Sequence, residues 1–178
     1  MRIGLTQRVL LHRGRAYDSL EHSWYEYLQE HTLVSIPNRL CSPFPDIDLL
    51  IITGGDDHPV RNHVEHELVN SMLSRDLPII GICHGCQLLT QRLNGSVVPV
   101  DDHMDCHHEV FYQDQPHLVN SYHKLRIEQP PQGATVLARD PDGYAEAWIH
   151  ERTAGIMWHP ERMIEPWIPR EIQLLLTR

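Results

Sequence analysis

LPIIGICHGCQ, residues 77–87, is the stretch around which the rest of the chain is arranged. Pro78 and the run Ile79, Ile80, Gly81, Ile82 read as a buried strand of a parallel sheet. The run stops at Cys83, and beyond Gly85 the residues Cys86, Leu89 and Leu93 share one face of a helix. Gly81 and Gly85 flank the cysteine as G-x-C-x-G, the thiol counterpart of the G-x-S-x-G elbow. A tight strand-to-helix turn strains its central residue, and glycines two before and two after relieve the crowding. The sulfur would then lie at a helix N-terminus, where backbone N–H groups and the dipole favour negative charge. Two other readings fit the same letters. Cys83-His84-Gly85-Cys86 is also a C-x-x-C redox pair, and a core strand can simply end in an inert buried cysteine. The stretch alone leaves all three open.

Composition narrows the classes. The 178 residues are 41% hydrophobic and 22% charged, which predicts one globular domain over residues 1–178. A net charge of −9 with no basic stripe argues against a nucleic-acid or membrane-surface binder. Fourteen histidines make the charge sensitive to mildly acidic pH. Four cysteines do not make a disulfide scaffold. With no signal-like segment and no long apolar run, a cytoplasmic location is expected.

Taken in order, residues 2–7 read as a first strand and 8–15 as a basic, glycine-containing loop. Leu20, Trp24 and Leu28 predict a helix over 18–30 capped by Asp18 or Ser19. A strand over 31–36, a proline-bearing loop over 40–46 and a buried strand over 49–53 follow, the last ending in Gly54-Gly55. Pro59 opens a helix whose apolar residues are Val60, Val64, Leu68 and Met72. The strand over 77–82 and the helix over 85–93 complete a β-α pattern with helices on both faces of a parallel sheet. Short strands are expected over 97–100, 109–112, 124–128, 135–138, 145–149 and 155–158, as an antiparallel or mixed extension. A helix over 165–176, with Ile172, Leu175 and Leu176 turned inward, closes the chain.

A cysteine nucleophile needs a base and a group to orient that base. His159-Pro160-Glu161 follows the last predicted strand, and in extended chain Glu161 would lie on the same side as the His159 imidazole. Gly54-Gly55 ends a neighbouring strand, so the Gly55 and His84 N–H groups are the natural donors to a developing oxyanion. In this order, strand-GG, G-I-C-x-G-x-Q and H-P-E resemble the class I glutamine amidotransferase family, γ-glutamyl hydrolases included. The resemblance runs from TGGDDH (53–58) through GICHGCQLL (81–89) and NSYH (120–123) to WHPE (158–161). It implies a flavodoxin-like α/β three-layer sandwich and a Cys-His-Glu triad of Cys83, His159 and Glu161. It further implies an oxyanion hole at Gly55 and His84, and a glutamyl site at Gln87 and the Ser121-Tyr122 backbone. Gly54 and Asp56 join the substrate-binding set, Asp56 facing an α-amino group. Lys124 stands where γ-glutamyl hydrolases carry a second histidine, which leaves the role of His123 open.

The redox reading leaves Gly-Gly and H-P-E unexplained, and Cys86 is better read as packing. His103, Asp105, Cys106, His107, His108 and Glu109 crowd one expected loop, which reads as a polar wall of the site mouth; no metal and no cofactor are expected. The expected chemistry is hydrolysis of a γ-glutamyl amide through a thioester, on a small-molecule substrate. The N-terminal segment is similar to small bacterial members of the family linked to capsule and sugar-nucleotide pathways, the γ-glutamyl-CDP-amidate hydrolase type among them. Arg8, with Arg13 and Arg15, would suit a diphosphate. The other reading is a glutaminase subunit that gives ammonia to a separate synthetase partner. The oligomeric state is not fixed by the sequence.

Overall fold

Short runs of β-branched and aliphatic residues become the middle of one sheet. The structure, a computed structural model, describes residues 1–39, 43–101 and 103–177. Its elements are β1 (Arg2–Thr6), β2 (Arg8–His12), β3 (Arg15–Ser19), α1 (Ser23–Tyr27), β4 (Thr32–Ile36), β5 (Leu49–Ile52), α2 (Pro59–Ser74), β6 (Ile79–Ile82) and α3 (His84–Arg92). There follow β7 (Ser96–Pro99), β8 (Met104–Tyr112), β9 (Gln115–Tyr122), β10 (Leu125–Gln129), β11 (Thr135–Arg139), β12 (Ala145–His150), β13 (Thr153–Ile156) and α4 (Arg170–Gln173). The sheet runs β4-β1-β5-β6-β13-β12-β11-β8-β9, parallel from β4 to β13 and antiparallel beyond, with β10 pairing β12 and β7. This is a flavodoxin-like α/β arrangement with an antiparallel extension.

Alternation along the central strands splits the core in two. Leu49, Ile51, Ile80 and Ile82 pack on one face with Trp24, Ile172 and Leu175; Leu50, Ile52 and Ile79 pack on the other with Val64, Leu68 and Leu89. Helices therefore cover both faces, α1 and α4 one and α2 and α3 the other. The turn from β6 into α3 leaves no room for a side chain at either glycine. A Cβ on Gly81 would run into the Gly85 carbonyl, and one on Gly85 into the Ile52 carbonyl oxygen. Backbone cannot give as a flexible side chain can, so Gly85→Ala is expected to destabilise the fold by about 3 kcal/mol, measured as a shift in urea midpoint. An unchanged midpoint would mean that α3 slides away from β5 at no cost.

Several expected boundaries are corrected. Residues 8–15 are not a loop but most of a hairpin: β2 and β3 join through Arg13 and Gly14, both at positive φ (50° and 72°), as a two-residue type I′ turn requires. That hairpin takes residues 18 and 19 from the helix expected over 18–30, of which only Ser23–Tyr27 is helical. Asp18, expected as its cap, instead accepts hydrogen bonds from the Asn38 backbone N–H and side-chain amide. The strand β9 is not among the expected elements; a second positive-φ pair, Gln113 and Asp114, joins it to β8. Residues 103–108, expected as a loop, belong almost wholly to β8, which carries an irregularity at Asp105 (φ 53°) between Met104 and Cys106. The expected helix over 165–176 shrinks to α4 and a 3-10 turn at Leu174–Leu176, because prolines at 166 and 169 bar earlier helix. In α2, Val60 faces solvent, and the buried stripe holds Arg61 and Glu65 beside Val64 and Leu68. The expected loop over 40–46 lies partly outside the described residues.

Candidate active site

β6 and β13 run parallel and in register, Ile79 beside Thr153 and Ile82 beside Ile156, so the residues after each strand leave the sheet at the same edge. Cys83 follows one strand and His159 leaves just beyond the other. Cys83 sits at φ 51°, a strained position for a residue with a Cβ, and its backbone N–H donates to the Ile156 carbonyl at 2.8 Å. His159 Nδ1 meets Glu161 Oε1 at 2.6 Å, both side chains buried. The contact does not arise from extended chain as expected. Pro160–Arg162 form a single 3-10 turn, which folds the carboxylate back onto the ring. Burial of the imidazole works against its charge, but hydrogen bonds to the Cys83 sulfur and the Glu161 carboxylate outweigh it and raise the His159 pKa to about 9.

The Gly-Gly segment closes over this pair. A Cβ on Gly54 would fall on the His159 ring, and Gly55 takes φ 133°. A cleft of about 190 Å³ is lined by Gly55, Asp56, Cys83, His84, Gln87 and Tyr122, with Asp57 and His123 also on its wall. The Tyr122 ring stands edge-on to His159 at 5.5 Å. Ser121 is buried, and its hydroxyl donates to the His103 carbonyl at 2.7 Å. Arg8 lies apart from the cleft lining, beside Gly55, with its guanidinium 3.7 Å from Glu21. Arg13 and Arg15 are at the far tip of the β2–β3 hairpin. Cys86 is wholly buried, and burial pushes its thiol up, so the C-x-x-C holds no second exposed thiol to exchange.

Three positioning residues went unnoticed in the sequence. Arg61, fully buried, donates from Nε to Glu65 Oε1 at 2.8 Å and from its terminal nitrogens to the Thr53 and Gly54 carbonyls at 2.5 and 3.2 Å. Glu65 also accepts from Thr6 Oγ1 at 2.7 Å and meets His84 Nε2 at 2.8 Å. Burial would push the Glu65 carboxyl up, but the His84 hydrogen bond and the Arg61 charge hold it below its ordinary value. His84 is tied on its other side to Asp57 at 3.0 Å. The network thus fixes both the Gly54-Gly55 segment and the first residue of α3. Asn120 clamps the His159 backbone with two 2.8 Å bonds, accepting from its N–H and donating to its carbonyl. Arg61 and Glu65 stand four apart on the same stripe as Val64 and Leu68, a signal that an ion pair is buried.

The description glutamine amidotransferase class-I matches residues 10–175 of this chain. The chain belongs to the class-I glutamine amidotransferase family. The chain is 31% identical over 127 residues to the gamma-glutamyl-CDP-amidate hydrolase of Campylobacter jejuni; the match covers 65% of this chain and 63% of that protein, just under two thirds of its length. It is 29% identical over 163 residues to a glutamine-hydrolyzing GMP synthase subunit of Haloquadratum walsbyi, covering 79% of this chain and 85% of the relative. A glutamine amidotransferase of known crystal structure from Thermotoga maritima shares the fold, with a TM-score of 0.71 at 16% identity over 90% of this chain and 76% of that one. Among the described residues no helix is long and apolar enough to cross a membrane.

The raised His159 pKa has a stability consequence. The folded chain holds the proton more tightly than the unfolded one, so the contribution is complete below about 6.5 and is lost as pH rises through about 9. The stability advantage of the parent over His159→Gln is expected to shrink across that window in pH-resolved urea unfolding. An advantage that stays constant with pH would mean that the ring binds no extra proton on folding.

At the cleft wall lies a second group of polar side chains, the buried His123 and Glu146 with the half-buried His103 and His108. Burial, then the neighbouring His103 ring, push His108 down to about 4; burial, His103 and His108 push His123 down to about 3. Burial, and then Asp140, push the Glu146 carboxyl well up. His107 and Glu109, the alternate residues of β8, face outward.

Proposed function

We propose that this chain hydrolyses the amide bond of a γ-glutamyl compound, with Cys83 as nucleophile, His159 as proton carrier and Glu161 as the group that orients the ring. The observation that carries the reading is the 2.6 Å contact from Glu161 to His159 Nδ1, which leaves the other ring nitrogen for the Cys83 sulfur. The Cys83 thiolate, its proton already held on His159, adds to the γ-glutamyl carbonyl carbon. The carbonyl oxygen, now negative, accepts from the Gly55 and His84 N–H groups. The C–N bond then breaks as His159 returns the proton to the leaving nitrogen, and a γ-glutamyl thioester remains on Cys83. A water gives its proton to His159, adds to the thioester carbonyl, and frees glutamate and the thiol. Gln87 and the Ser121-Tyr122 backbone hold the glutamyl group, and Asp56 at the cleft mouth faces its ammonium group. Gly54, with no side chain, lets the segment close on His159.

A phosphoryl-bearing amine, as in the name of the Campylobacter relative, is the proposed leaving group; Arg8 beside Gly55 supports it by offering a cation near the cleft. The likeness to the Haloquadratum GMP synthase subunit supports a second reading, in which the chain delivers ammonia from glutamine to a synthetase. Glutamate release from a panel of γ-glutamyl amides, γ-glutamyl-CDP-amidate and glutamine included, separates the two. Turnover by the purified chain alone supports the hydrolase. Silence on the whole panel until a synthetase is added favours the ammonia-delivering role.

A further inference from the structure

The buried histidines and Glu146 are unlike a satisfied polar core. Both ring nitrogens of His108, both of His123 and both carboxylate oxygens of Glu146 are buried without a hydrogen-bond partner. Glu146 is 0% exposed and His123 2%. Leaving so many polar atoms buried and unpaired carries a desolvation cost that proteins rarely bear without a ligand to meet it. The atoms also converge. One ligand atom from each of His103, His108 and Glu146 lies within 4.8 Å of the others; His108 Nε2 is 3.8 Å from one Glu146 oxygen, and His123 Nε2 is 3.7 Å from the other. The three rings stand at centroid separations of 5.0, 5.1 and 6.4 Å.

We propose that His103, His108, His123 and Glu146 form a binding site for one first-row divalent cation, zinc foremost. Ligands about 2.1 Å from a tetrahedral ion stand about 3.4 Å apart, so the observed spacing closes onto a cation with small side-chain shifts. Three imidazoles select against magnesium and calcium, which take oxygen ligands. His103 Nδ1 faces the Asp101 carbonyl at 3.2 Å, the arrangement that fixes a metal-binding tautomer and leaves Nε2 for the ion. Four protein ligands fill a tetrahedron, which makes this a structural site rather than one that activates water.

The fold gives the ion work to do. Among the described residues, β8 joins the sheet beyond β9 through two register pairs, Ala138 with Tyr112 and Arg139 with Phe111, at its far end. Its other end, beside Met104 and Tyr122 of the cleft wall, has β9 on one side and the histidine cluster on the other. An ion shared by β8, the turn after β9 and β12 fastens that end to the body of the sheet. The irregularity at Asp105 resets the pleat between His103 and His108.

The test uses the untagged full chain, stripped with a chelator and reloaded with zinc chloride alone. Bound metal is measured by mass spectrometry, affinity by competition with a chromophoric chelator, and geometry by the visible spectrum after cobalt loading. One zinc per chain and a tetrahedral cobalt spectrum are expected. Affinity should fall about 100-fold or more in Glu146→Gln and in His103→Gln, and stay unchanged in His107→Gln and Cys83→Ala. Zinc should also raise the thermal midpoint of the parent and not of Glu146→Gln. If Glu146→Gln fails to fold, the partly exposed His103→Gln carries the comparison. Zinc lost in Cys83→Ala but kept in Glu146→Gln would put the ion on the reactive sulfur and overturn the proposal. Substoichiometric zinc, or equal affinity in every variant, would overturn it as well.

Discussion

The Cys83→Ala protein is expected to fold as the parent does and to release glutamate from the best γ-glutamyl substrate at least about 10⁴-fold more slowly. Removing the sulfur leaves the Gly55 and His84 donors and the cleft in place, so binding should survive while the thioester cannot form. The separation of effects is the informative part: kcat collapses and substrate still protects the variant from thermal unfolding. Mass spectrometry of the quenched parent should show a γ-glutamyl adduct that the variant lacks. Activity within tenfold of the parent would remove Cys83 from the chemistry and the proposed mechanism with it.

Replacing Arg61 by methionine is expected to cost about 3–5 kcal/mol, the scale seen when one partner of a buried ion pair is removed. In a chain of this length that lowers the thermal midpoint by about 10 °C. The loss falls on a carboxylate that cannot reach water: Glu65 keeps Thr6 and His84 but loses the guanidinium that faces it. A double variant, Arg61→Met with Glu65→Leu, should recover part of the stability, because no uncompensated charge remains. It should not recover glutamate release, since the Thr53 and Gly54 carbonyls and the His84 ring would still lack their anchors. A single variant as stable as the parent would show that the buried pair contributes nothing to the fold.

The parallel half of the molecule is legible in the sequence because each central strand is an apolar run with nowhere to go but between two layers of helix. Leu49–Ile52 and Ile79–Ile82 allow no other reading once Gly-Gly and G-I-C-x-G end them. The hairpins are not legible, for a specific reason. Arg13-Gly14 and Gln113-Asp114 adopt positive φ without the Asn-Gly pair that announces a type I′ turn, so β2 reads as loop, the end of β3 as the start of a helix, and β9 as no element at all. The prolines at 166 and 169 do announce the short C-terminal helix, but its apolar spacing outweighs them. At the site, Cys83, His159 and the glycine segments stand out locally, since each sits in a short motif. Arg61 and Glu146 do not, and Asn120, though it opens NSYH, carries no sign there of its bond to His159. A buried polar residue is recognisable by its partner; those of Asn120 and Glu146 come from elements far along the chain, whereas Arg61 has Glu65 four residues on, the one local signal of the pair.

β13 is among the last strands in sequence, yet it occupies the middle of the sheet, between β6 and β12. During synthesis, β6 and β12 therefore wait as open edges until residues 153–156 leave the ribosome, and both are lined with unpaired amide groups. So long a span between neighbouring strands slows closure and lengthens the time in which a nascent chain can pair with another copy of itself. Expression yield should depend more on temperature and chaperone supply than the stability of the finished sheet would suggest.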